Sequence, residues 1–155
     1  MMPITRRGCR LLGSLAFSGL LASSLTAAGD ATLARAVEVR DSVSVRQLLA
    51  ARVDVNAPQA DGSTALLWAA HHDDLELVDQ LLRAGANVKA ANRYGVAPLM
   101  VACTNGNTAI IARLLDAGAD PNTALPGGET ALMTAARTGR ADAVRALIAR
   151  GANVH

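Results

Sequence analysis

His71, His72, Asp73 and Asp74 form the run "HHDD", the one cluster in this chain whose residue types suit metal binding or proton transfer. Adjacent histidines at a helix end point in different directions, whereas a helical metal pair needs ligands four residues apart. The only other histidine is His155. The run therefore reads as solvated residues between two helices, and no metal is expected. Cys103 lies among small residues with no histidine–aspartate pattern beside it, which fits a buried, inert thiol rather than a nucleophile. "LPGGET", Leu125 to Thr130, has two glycines but no phosphate-loop lysine, and reads as a turn. No catalytic set emerges, so neither enzymatic turnover nor a cofactor is expected.

What must position these residues is a repeat. At 155 residues the chain makes one domain. About half of it is apolar (51%), but Phe17, Trp68 and Tyr94 are the only aromatics, so alanine and leucine fill the core and favour close-packed helices. A period of 33 aligns four units without a gap. Glycines fall at Gly29, Gly62, Gly95 and Gly128, and apolar anchors at Leu33, Leu66, Leu99 and Leu132. Alanines follow at Ala36, Ala69, Ala102 and Ala135, then apolar pairs at Leu48-Leu49, Leu81-Leu82, Leu114-Leu115 and Leu147-Ile148. Gly85, Gly118 and Gly151 close the later units, and Arg52 breaks that series in the first.

Each unit predicts two short helices. Thr64 and Thr130 cap the first helix with a hydroxyl; in the third unit Ala97 cannot, but Pro98 suits the first helical position. Gly106 and Gly139 fit left-handed turns between helices, with Asp73 in that place in the second unit. The second helices span about Asp74 to Arg83, Asn107 to Asp116 and Arg140 to Arg150. An extended excursion, Asn87 to Gly95, is long enough for a hairpin arm. Helices this short cannot bury their apolar faces alone, and stacking supplies each with a neighbour.

The beginning of the chain reads as a leader. Arg6, Arg7 and Arg10 precede the apolar run "LLGSLAFSGLLASSL" and then "TAAGD", the order of a secretory signal peptide over residues 1–28, cleaved after Ala28. "TRRGCRLL" matches a twin-arginine signal only in part, which favours general export. Export to a periplasm or to the outside is expected, with no lipid anchor and no stable membrane insertion after cleavage. Taking those three arginines from 15 basic residues leaves 12 against 13 acidic ones. Such a balance argues against a nucleic-acid partner, which requires a basic patch.

The units resemble the ankyrin repeat. "GSTALLWAA", "GVAPLMVAC" and "GETALMTAA" carry the first half of that pattern; "LLRAGANVKA", "LLDAGADPNT" and "LIARGANVH" carry the second. The resemblance covers residues 29–155, as repeats at about 29–61, 62–94, 95–127 and an incomplete 128–155. It implies an all-α solenoid of stacked helix pairs with β-hairpin arms. The family's histidine is replaced by Leu67, Met100 and Met133, so packing should stand in for its hydrogen bonds. The first unit lacks both loop glycines and looks like an N-terminal cap. No polar cap follows the last, so either a longer array continues past His155 or Val144, Leu147 and Ile148 leave an apolar end exposed; a longer array is favoured.

The resemblance further implies a protein partner, held non-catalytically on the arm tips and the groove ends of the first helices. The arm-tip positions are Ala60, Asp61 and Ser63; Arg93, Tyr94 and Val96; Pro126, Gly127 and Glu129. The groove positions are His71 and His72; Thr104 and Asn105; Arg137 and Thr138, with Trp68, Val101 and Thr134 before them. Tryptophan, tyrosine and arginine dominate binding hot spots, which singles out Trp68, Tyr94, Arg93 and Arg137. Trp68 and Tyr94 should lie close, either as anchors or with Trp68 packed under the next arm. The rival expectation is that these repeats position a catalytic or effector domain beyond residue 155.

Overall fold

A computed structural model describes residues 33–154. The leader, its cleavage point, Gly29 and His155 lie outside the described residues. Eight helical segments run along the described chain: α1 (33–38), α2 (Ser42–Ala50), α3 (Ala65–His71), α4 (Leu75–Arg83), α5 (Pro98–Asn105), α6 (Thr108–Asp116), α7 (Ala131–Arg137) and α8 (Ala141–Ala149). They pair as α1–α2, α3–α4, α5–α6 and α7–α8. The substantial contacts join helices of one unit or of adjacent units: α3 with α5, α5 with α7, α4 with α6, α6 with α8. The result is a row of helix pairs in two layers.

Six- to nine-residue helices are marginal in water, so ends and faces must be satisfied locally. Side chains of Asp41, Thr64, Asp74, Asn107 and Thr130 accept first-turn amides. Ala97 provides no such bond and Pro98 opens α5 instead, as its fixed φ predicts. Arg140 stands where Asp74 and Asn107 stand and provides no cap for α8. Ala69, Ala102 and Ala135 are fully buried, which lets α3, α5 and α7 approach closely. Leu81, Leu114 and Leu147 are fully buried in the second helices, whereas Leu48 is half-buried in α2.

The turns follow the glycine pattern and its breaks. Gly106 and Gly139 are left-handed between helices, and Asp73 takes the same conformation at φ 57°. Arg40 (φ 59°) occupies that place in the first unit, and Arg52 (φ 53°) occupies the place of Gly85, Gly118 and Gly151. A non-glycine residue in this region costs roughly 1–2 kcal/mol, so the first unit carries two strained arginines.

The arms are hairpin tips without strands. In the second, the Gly95 amide donates to the Asn92 carbonyl at 2.9 Å and the Asn92 amide to the Val96 carbonyl at 3.0 Å. The same pair recurs from Gln59 to Ser63 and from Leu125 to Glu129. This is a three-residue loop with a left-handed glycine. The β-hairpins implied by the resemblance shorten here to a single bridge among the described residues, Ala124 with Thr130, in the arm where the Ala131 amide also donates to the Thr123 carbonyl at 2.9 Å.

Asparagines brace successive loops. Asn56 donates to the Gly85 carbonyl at 3.1 Å and accepts from the Asn87 amide at 2.6 Å. Asn122 does the same with Gly151 at 3.3 Å and Asn153 at 2.7 Å. Lys89 holds the equivalent position between the second and third units and has no side-chain oxygen to accept. Lys89→Asn is expected to add a brace and about 1 kcal/mol of stability. A urea titration should show a higher midpoint at unchanged slope.

Of the family's histidine positions, Leu67 and Met100 are buried and Met133 is exposed (59%). At the last unit Leu147 is buried and Val144 half-buried, while Ile148 and Val154 are exposed.

Candidate functional site

The exposed positions of the first helices and the arm tips make up the candidate surface. Tyr94 stands out there: the other exposed large apolar residues among those described, Val39, Val43, Met133, Ile148 and Val154, belong to the terminal units. Tyr94 is 63% exposed on a tip that is itself held firmly. The Asn92 side-chain oxygen accepts from the Tyr94 and Val96 amides, both at 3.0 Å. The Arg93 amide donates to the Asp61 carbonyl at 2.9 Å, and the Arg93 guanidinium reaches the Ala60 carbonyl, tying this arm to the preceding one. Arg93 is exposed, but part of its donor capacity is spent within the protein.

Trp68 lies deeper. Its indole N–H donates to the Gln59 side chain at 2.9 Å, and the ring packs against the core. His72 stacks on it at 6.2 Å between ring centres, and His71 meets it edge-on at 5.6 Å. Tyr94 makes no ring contact with Trp68 among the described residues, so the expected closeness does not take that form. The polar chain continues through Gln59, whose amide donates to Glu38 at 2.9 Å, while Arg35 donates to the same oxygen at 2.9 Å. Those bonds, Gln59 first and Arg35 second, hold the Glu38 carboxyl below its ordinary range. His72 Nε2 sits 3.0 Å from the Glu38 carbonyl oxygen.

The remaining predicted residues divide. Asn105 is an inter-unit brace: its amide lies 3.2 Å from the Ala70 and His71 carbonyls and from the Asp73 carboxylate. It is therefore committed to the end of α3, one unit back. Thr104 is exposed and returns its hydroxyl to the Met100 carbonyl of its own helix. Arg137 and Glu129 come together as an ion pair at 2.7 Å, with the buried Thr134 hydroxyl 3.0 Å from the same carboxylate. Such an exposed pair contributes little to stability and leaves Arg137 facing solvent. His71, Thr104 and Arg137 are thus exposed in successive units, as is Tyr94 on its arm.

Sequence reasoning missed Gln59 and Glu38. Neither repeats at the period, because Asn92 and Leu125 align with Gln59 and His71 aligns with Glu38; no signal in the repeat marks them. A cleft of about 580 Å³ also opens at the first junction, between the α1–α2 turn and the segment from His72 into α4. Cys103 is fully buried, and burial pushes its thiol up to about 12, which fits an unreactive sulfur. No group of three or more potential metal ligands assembles among the described residues.

A row of short helix pairs, each in contact with the next, defines an all-α repeat solenoid. The family profile "Ankyrin repeats (3 copies)" matches residues 33–124 and "Ankyrin repeat" matches 127–155; the chain belongs to the ankyrin-repeat family. Ankyrin repeats are protein–protein interaction modules, typically non-catalytic, and no enzyme family is matched. No curated protein matches the chain. No helix among the described residues is long and apolar enough to cross a membrane.

Proposed function

We propose that this protein is an exported interaction module that holds a partner protein on its groove and arm tips, without turnover. The observation that supports the reading best is Tyr94. A large amphipathic side chain is presented on a tip braced by Asn92 and Arg93, so little conformational freedom is lost when a partner covers it. His71, Thr104 and Arg137 extend the surface to either side, and Trp68 and His72 form its floor. The arginine-led apolar leader supports export to a periplasm or beyond.

Two substitutions test the reading. Tyr94→Ala is expected to weaken partner retention at least tenfold, as hot-spot truncation does, with the melting temperature unchanged. Trp68→Ala is expected to lower both retention and melting temperature, because its indole also ties Gln59 to the core. The readouts are affinity capture from the exported fraction and calorimetry. Retention unaffected by both changes would overturn the assignment of this face. Export is checked by N-terminal sequencing of the mature protein, expected to begin near Gly29.

A further inference from the structure

Asn105 is the only asparagine of the chain followed by glycine; Asn56, Asn87, Asn92, Asn107, Asn122 and Asn153 each precede a residue with a side chain. Asparagine is a thermolabile residue type, and a glycine after it leaves its side-chain carbon open to attack by the next backbone nitrogen. Each member of the pair is held in place for a structural reason. Asn105 supplies the amide that braces α5 to the end of α3. Gly106 has φ 72°, and a Cβ on it would stand 2.7 Å from Cγ of Arg140 in the next unit. Two separate packing requirements thus set a reactive dipeptide at the junction of the second and third units.

The reaction is internal to the chain. The Gly106 backbone nitrogen gives its proton to solvent base and attacks Cγ of Asn105. A C–N bond forms, the side-chain nitrogen leaves as ammonia, and a succinimide ring results. Water then opens the ring at either carbonyl, leaving an aspartate or an isoaspartyl link. The folded chain opposes the first step at both partners. Reacting atoms must align at about 3–3.5 Å. Asn105 has the helical backbone of the last residue of α5, and its amide nitrogen is tethered 3.2 Å from each of three acceptors, which keeps Cγ from that alignment. Gly106 is buried, and its N–H is shared by the Ala102 carbonyl at 2.9 Å and the Cys103 carbonyl at 3.2 Å.

We propose that Asn105–Gly106 is a latent self-modification site, silenced by the packing of this junction and released when the packing is lost. The product cannot restore the brace. Deamidation exchanges an amide donor for a carboxylate that faces the Ala70 and His71 carbonyl oxygens and the Asp73 carboxylate, all of them acceptors. Each event therefore turns a transient opening between the second and third units into a permanent loss of their link. No partner takes part, so the outcome is independent of what the groove holds.

The test incubates the full chain in mildly alkaline buffer, folded or unfolded in guanidinium, and digests it with trypsin. The peptide 94–113 carries both Asn105 and Asn107; tandem mass spectrometry assigns the converted residue, and chromatography separates aspartyl from isoaspartyl forms. In the unfolded chain Asn105 is expected to convert at least tenfold faster than Asn107, and at least tenfold faster than in the folded chain. Equal rates at the two asparagines would overturn the site, and equal rates in the two states would overturn its silencing. Substitutions read the consequence. Asn105→Ala only removes the brace and should melt about 4 °C lower, whereas Asn105→Asp also adds the charge and should melt about 8 °C lower. Asp73→Asn added to Asn105→Asp puts an amide donor opposite the new carboxylate, and asparagine tolerates the left-handed backbone there, so about half of the loss should return. If Asn105→Asp melts no lower than Asn105→Ala, the modification does not act on the junction and the proposal fails.

Discussion

Leu114→Ala is expected to destabilise the protein by about 3 kcal/mol. Leu114 is fully buried in α6, with helix pairs stacked on both sides. Truncation loses its transfer energy and leaves a cavity, and a leucine in such a setting costs roughly 2–5 kcal/mol. The repeat supplies its own control. Leu48 holds the same register position in α2 but is only half-buried, so Leu48→Ala should cost about 1 kcal/mol. Urea titrations of both variants measure the difference. Equal losses would mean that the first unit is packed as tightly as the third.

Gly95→Ala is the second large effect, at about 3 kcal/mol. Gly95 has φ 76°, where an L side chain costs roughly 1–2 kcal/mol. A Cβ there would also stand 2.8 Å from Cδ of Pro126 on the next arm, against a ring that cannot rotate away. Overpacking of that kind adds roughly 1–3 kcal/mol. Gly128 again serves as a control. Its φ is 84°, but a Cβ would meet nothing within 4 Å, so Gly128→Ala should cost about 1–2 kcal/mol only. Pro126→Ala introduced with Gly95→Ala should recover part of the loss, and calorimetric melting temperatures give the ranking.

The contrast between these glycines illustrates what the sequence carried. Period and residue type were enough to place the helix pairs, the caps at Thr64 and Thr130, the proline start of α5 and the left-handed Asp73. Each of those depends on a residue and its near neighbours in the chain. The strandless arms were not legible, because arm length says nothing of how many ladder bonds form. Nor were the roles of Asn105 and Gln59. Asn105 looks like a groove residue by register, but it is turned back onto carbonyls 34 and 35 residues earlier. Gln59 matters only because Glu38 and Trp68, from different units, converge on it. Interactions that do not recur at the period leave no trace in the period.

The placement of Trp68 has an optical corollary. The chain has one tryptophan and one tyrosine, and Trp68 sits at the contact between the first two units, hydrogen-bonded through its indole and stacked on imidazoles. Intrinsic fluorescence excited at the red edge therefore originates from that one seam, while the third and fourth units stay dark. An emission-monitored melt is a local thermometer for the N-terminal half, and its midpoint should fall below the one that circular dichroism records for the helices as a whole.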